Sequence, residues 1–218
     1  TISSKGILRI YINAPHGVVT EPRFTGETLK EETLRELGKE TVPVLTKDHA
    51  DTIALRIEAA RMEQNSLGGI VETALLGVPA GLGDPFFDSL ESRLAQILFS
   101  VPAVKGVSFG IGSDFVLMTG AEANDSYTVE EGRIRTVTNH NGGILGGITN
   151  GMPITFETVI KPTPSISRPQ QSVDLVTKQR ETLTIVGRHD PCIVPRAVPV
   201  LEAAAAIAVY DAWKGAKE

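Results

Sequence analysis

Residues 139–151 read Asn-His-Asn-Gly-Gly-Ile-Leu-Gly-Gly-Ile-Thr-Asn-Gly, five glycines within thirteen positions. Glycine reaches positive φ without steric cost and lets backbone approach another group closely, but it loses more conformational entropy on folding than any other residue. Five so close together, interleaved with asparagine, read as a backbone-lined loop; a plain hairpin or a series of bulges is the alternative. The spacing matches neither the dinucleotide fingerprint nor the P-loop.

Short strands and helices surround this stretch. Ile7, Ile10 and Ile12 mark a strand over residues 6–13. A charged helix is expected over 27–38. A stronger one over 48–66 follows Thr46, a capping type, and stops at Gly68-Gly69. Residues 70–78 form a strand that runs into Pro79-Ala80-Gly81-Leu82-Gly83. An amphipathic helix is expected over 86–99, with Phe87, Leu90, Leu94, Ile97 and Leu98 at helical spacing, and Pro102 ends it. A strand over 104–109 closes at Gly110-Ile111-Gly112, and 115–119 continues with strand-like residues. Residues 125–135 are polar and read as a surface excursion. Over 153–161 another strand places Ile154, Phe156 and Ile160 on one face. The final helix, over 198–213, is alanine from 203 to 206, which allows close packing and puts it at the centre of the fold.

Two further loops carry polar chemistry. Lys161-Pro162-Thr163-Pro164-Ser165-Ile166-Ser167 holds a cation and three hydroxyls on a proline-stiffened backbone, a fair arrangement for an anion. A polar surface loop would look the same. Gly187-Arg188-His189-Asp190-Pro191-Cys192 sets three charge-capable side chains in a row. Pro191 biases Asp190 towards extended backbone, so Arg188 and Asp190 point one way and His189 the other. A strand-end salt bridge is the plain reading of that pair. If the fold joins Lys161 and Arg188, they make a site for a phosphorylated or carboxylated ligand.

Composition excludes more than it selects. A net charge of −5 leaves no electrostatic footprint for nucleic acid. No apolar run approaches the ~20 residues of a membrane span. Cys192 is the single cysteine, so no internal disulfide forms, and a cytoplasmic setting fits. The four histidines are scattered, so no zinc spacing exists, and no nucleophile elbow is present. The chain opens Thr-Ile-Ser-Ser with no signal-peptide pattern and is expected to be a fragment.

Several segments in order resemble chorismate synthase: Gly-Val-Pro-Ala-Gly-Leu-Gly-Asp-Pro (77–85), Val-Pro-Ala-Val-Lys-Gly-Val (101–107), the glycine stretch, Lys-Pro-Thr-Pro-Ser-Ile (161–166), and Gly-Arg-His-Asp-Pro-Cys with Pro-Arg-Ala-Val-Pro (187–199). The resemblance implies an α+β fold, a sandwich with helices packed between antiparallel β-sheets, truncated at its N-terminus, and a single domain over 1–218. It implies a homotetramer and conversion of 5-enolpyruvylshikimate 3-phosphate to chorismate and phosphate. That reaction is a 1,4-elimination that needs reduced FMN without net redox change, and NADP belongs to the same family picture. Residue by residue, the family's flavin contacts fall on Pro102, Ala103, Gly146, Lys161, Pro162, Thr163, Pro164, Ser165 and Arg188. Arg188 also falls at the substrate, and Asp190 on a proton-relaying aspartate; no metal is implied.

The family's Gly-Glu-Ser-His-Gly motif, whose histidine is a general acid, and its Arg-Ser-Ser-Ala-Arg-Glu-Thr segment are not in this sequence. His16-Gly17 lacks the preceding Glu-Ser and reads as a loop, His49 as the first turn of a helix, and His140 and His189 as structural. The chain alone is therefore expected to be inactive. The alternatives are a non-catalytic flavin- or phosphate-binding module and a structural remnant; retention of Lys161 and Asp190 speaks against the latter.

Overall fold

The computed structural model describes residues 3–9 (backbone only), 23–26, 28–187 and 189–216. In chain order the elements are β1 (Ser3–Arg9), α1 (Glu31–Leu37), α2 (Lys47–Met62), β2 (Gly69–Leu76), α3 (Leu90–Ser100), β3 (Val104–Phe109), a 3-10 turn (Gly112–Leu117), α4 (Gly120–Ala123), β4 (Tyr127–Glu130), β5 (Arg133–Thr136), β6 (Ile144–Leu145), β7 (Ile148–Thr149), β8 (Ile154–Ile160), β9 (Gln170–Val173), β10 (Arg180–Leu183) and α5 (Val194–Gly215). One antiparallel sheet has the order β1-β2-β8-β3, and the other strands pair as three small hairpins.

The strand pattern decides the layers. In β8, Ile154, Phe156, Thr158 and Ile160 alternate onto one face and are buried against α3 and α5. Val71 and Leu75 of β2 share that face. Leu90, Leu94 and Leu98 supply the apolar stripe of α3 at four-residue spacing. Ala204, Ala205, Ala208 and Ala212 let α5 approach closely, as its alanine run foretold. The opposite face of the sheet is covered in part by Leu34 and Leu37 of α1. There Glu72 and Glu157 oppose one another across β2 and β8, and Arg23 bridges Glu157 at 3.3 Å and Asp114 at 3.1 Å. Like charges directly opposite are destabilising, so a bridging guanidinium matters at this point.

The α+β class with antiparallel sheets is as expected, and several boundaries differ for local reasons. α1 starts at Glu31 because Thr25 and Thr28 form a turn first, with Thr28 N–H donating to Thr25 O. α2 ends at Met62, before the glycines, because Gln64 turns left-handed at φ 56°. α3 begins at Leu90 because Ser89 caps it, accepting from Ser92 N–H at 3.1 Å. Phe86 and Phe87 therefore lie outside the helix, and at 89% and 90% exposure they are no part of the core. Residues 112–117 form the 3-10 turn instead of a strand. α5 starts four residues early because Pro195 fits a first helical turn, where its missing N–H has no intrahelical partner to lose. His16 lies outside the described residues.

Candidate functional site

Four segments meet at one end of the sheet. Lys161 N–H donates to Ala103 O at 2.9 Å, and Ser66 Oγ donates to Thr163 O at 2.6 Å. Leu67 N–H donates to Pro191 O at 2.8 Å. These bonds tie the 102–103 pair, the Lys161 loop and the Asp190 loop to the short connection between α2 and β2. Ala103 sits at φ 72°, a region that costs an L-residue backbone strain. Gly68 packs so tightly on the loop that an added Cβ would lie 2.4 Å from Ile160 O. Lys161, Pro162, Pro164 and Ser165 are exposed and Thr163 half-buried. Among the described residues no carboxylate pairs with the Lys161 ammonium. A free cation and hydroxyls on a loop with restrained backbone suit a phosphate-bearing ligand.

Asp190 is held beside this loop. Its Oδ1 accepts from Cys192 N–H at 3.2 Å. Its Oδ2 stands 3.1 Å from Arg196 Nη1, close enough for charge pairing but without hydrogen-bond alignment. Arg188 lies outside the described residues; among the described residues Arg196 is the cation placed at Asp190. The sequence reading missed it because Arg196 falls before residue 198, where the helix was expected to begin; the Pro195 signal would have found it. His189 Nε2 lies 3.3 Å from Ile185 O. Burial pushes the Cys192 thiol up to about 11, a bond from Val194 N–H opposes the rise and the nearby Asp190 charge adds to it, so the thiolate is disfavoured at neutral pH.

The glycine stretch sits at the opposite end of β8. Its hairpin, β6 with β7, turns through Gly146 and Gly147 at φ 59° and 84°, the turn type that matches strand twist. Gly147 O receives Leu90 N–H at 2.9 Å, and Thr149 bonds both Gly81 and Leu82 through the backbone. Nothing lies within 4 Å of a Cβ built on Gly146, so that position faces open space. β8 spans seven residues, so its two ends, one following the glycine stretch and the other leading into the Lys161 loop, lie roughly 20 Å apart. The structure thus joins Ala103, Lys161, Thr163 and Asp190 and leaves Gly146 apart from them.

A buried carboxylate organises the hairpin's approach. Asp125, 3% exposed, accepts from Thr138 Oγ1 at 2.7 Å, His140 N–H at 2.8 Å, Asn141 N–H at 2.9 Å and Asn141 Nδ2 at 2.8 Å. Burial alone would raise its pKa; the bonds from Asn141, Thr138 and His140 outweigh burial and hold it below 3.8. The expectation of a surface excursion over 125–135 is right for β4 and β5 and wrong for Asp125. Among the described residues no group of three or more His, Cys, Asp or Glu could hold a metal ion. None of the described helices is long and apolar enough to cross a membrane.

A sequence model of the chorismate synthase family matches residues 8–213. The chain belongs to the chorismate synthase family. It is 46% identical over 181 residues to a chorismate synthase of Methanosarcina barkeri, covering 83% of this chain and 50% of that protein. A Methanocella arvoryzae chorismate synthase is 48% identical, with 83% and 49% covered, and one from Methanobrevibacter smithii 51% identical over 155 residues, with 71% and 43% covered. The chain therefore spans about half the length of these chorismate synthases. A crystal structure of chorismate synthase superposes with a TM-score of 0.71 at 24% identity, covering 97% of this chain and 56% of that one, which supports the shared fold.

Proposed function

We propose that these residues serve the conversion of 5-enolpyruvylshikimate 3-phosphate to chorismate and phosphate, with reduced FMN as cofactor. The carrying observation is the loop of exposed Lys161 and Ser165 with half-buried Thr163, tied through Lys161 N–H to the left-handed Ala103. That loop suits FMN: it offers a free ammonium and hydroxyls for a phosphate and exposed proline rings for a flat ring system. Pro102 and Pro162–Ser165 would hold the flavin, with Arg188 beside it and Gly146 as a contact from the far hairpin. When bound, reduced FMN supplies transient electron density that eases C–O cleavage. Lys161 balances negative charge on ligand phosphate or carboxylate. Asp190 takes up the ring proton at its carboxylate and passes it on, while Cys192 N–H and Arg196 fix the direction of that carboxylate. The intact assembly is a homotetramer in this reading.

The general-acid histidine and the arginine segment of the family are not among these 218 residues. The purified chain with reduced FMN should therefore give no chorismate above background; turnover by the chain alone would contradict this. In a polypeptide that also carries the acid-bearing segment, Asp190→Asn should lower kcat about a hundredfold. Melting temperature and flavin affinity should stay unchanged; a variant that loses all three equally would show Asp190 to be structural.

A further inference from the structure

A cavity of about 330 Å³ opens between the end of α2 and the loops after β8 and β10. It is lined by Arg61, Gln64, Asn65, Ser167, Gly187 and His189, among others. Its size is at the lower end of small-ligand sites, about 300–1,000 Å³. Arginine, amide and hydroxyl groups make it rich in donors. The end of a helix ordinarily repels an anion through its free carbonyls. Here Ala59 O, Ala60 O and Arg61 O already accept from the N–H groups of Glu63, Asn65 and Gln64, so that repulsion is blunted.

Arg61 is poised to change partner. Its guanidinium donates to Glu58, with Nε to Oε2 at 2.7 Å. The pair is exposed and one helical turn apart, so solvent screens it heavily. The cavity is joined to the Lys161 loop by the bond from Ser66 Oγ to Thr163 O. None of the flavin contacts implied by family resemblance falls on α2.

We propose that this cavity binds a phosphate monoester and that Arg61 is its specificity-determining cation, released from Glu58 to make a charge-assisted contact. The inference rests on the flavin and phosphorylated-substrate reading above and adds a wall to that site. Among the described residues, the polar groups that line the cavity are Arg61, Gln64, Asn65, Ser167 and His189, with Glu58 as the carboxylate competing for Arg61.

The test is thermal protection of the 218-residue chain by inorganic phosphate at constant ionic strength. The melting temperature should rise with phosphate. Arg61→Gln should weaken the apparent phosphate affinity about tenfold, the worth of one charge-assisted hydrogen bond. Glu58→Gln should tighten it by freeing Arg61, and Arg133→Gln in the exposed β5 strand should leave it unchanged. No protection of the unmutated chain, or equal protection of Arg61→Gln, overturns the proposal. Paired titrations identify the source of the phosphate. Selective weakening of FMN relative to riboflavin in Arg61→Gln assigns the flavin phosphate. Selective weakening of shikimate 3-phosphate relative to shikimate assigns the substrate. Arg61-dependent phosphate protection in a chain whose FMN binding ignores Lys161→Ala would sink the flavin reading and leave this site standing.

Discussion

Gly110→Ala should destabilise the chain by about 4 kcal/mol and lower its melting temperature by on the order of 10 °C. A Cβ at this position would lie 1.9 Å from His140 O and 2.7 Å from Asn141 C and Gly142 N, and the residue sits at φ 56°. All three atoms are backbone, so no side chain can rotate away. They belong to the strap that receives Ile111 N–H at His140 O and joins β8 through Gly142 and Thr155. Relief requires the whole glycine hairpin to move. Gly120→Ala is the matched control: it has no positive φ, meets nothing within 4 Å, and opens α4, so it should be neutral or slightly stabilising. Differential scanning calorimetry of the two variants checks both statements.

Asp125→Ala should cost about 3 kcal/mol, because it strands donors in a place water does not reach. Thr138 Oγ1, two backbone N–H groups and the Asn141 amide all lose their acceptor. Asp125→Asn should recover part of the loss, since an amide keeps one acceptor oxygen. The wild-type contribution also carries a pH signature. Asp125 is held below its ordinary 3.8 in the folded chain. A depressed carboxylate gives its full stabilisation above the unfolded value and loses it as pH falls through the folded one. Acid unfolding of the wild type should therefore show a stability loss below pH 3.8 that Asp125→Asn lacks. Parallel urea titrations across that range would reveal it, and identical slopes would contradict it.

These two positions also mark how far the sequence could be read. The strands over 104–109 and 154–160 were legible because β-branched and aromatic residues alternate there and glycine or proline bounds them. The helix at 90–100 was legible by its leucine spacing, but its start was not. Ser89 fixed the start through a bond that no hydrophobic pattern encodes. The three polar loops were identified from residue type alone, yet their assembly depends on sheet pairing, which put Lys161 and Gly146 at opposite ends of β8. Asp125 resembled any surface acid; its burial comes from partners at 138, 140 and 141, across the β4–β5 hairpin. Arg61 escaped notice because it lies on an expected helix, where an arginine is ordinarily solvated; Arg196 escaped because the start of the last helix was expected after it.

The proposed function turns on one claim, that the Lys161 loop binds the flavin phosphate or its ring. Titration of reduced FMN into the 218-residue chain, followed by flavin fluorescence, tests it most directly. Saturable binding is expected, weakened at least about tenfold by Lys161→Ala with the melting temperature unchanged. Absence of saturable binding, or equal affinity in Lys161→Ala, would contradict it.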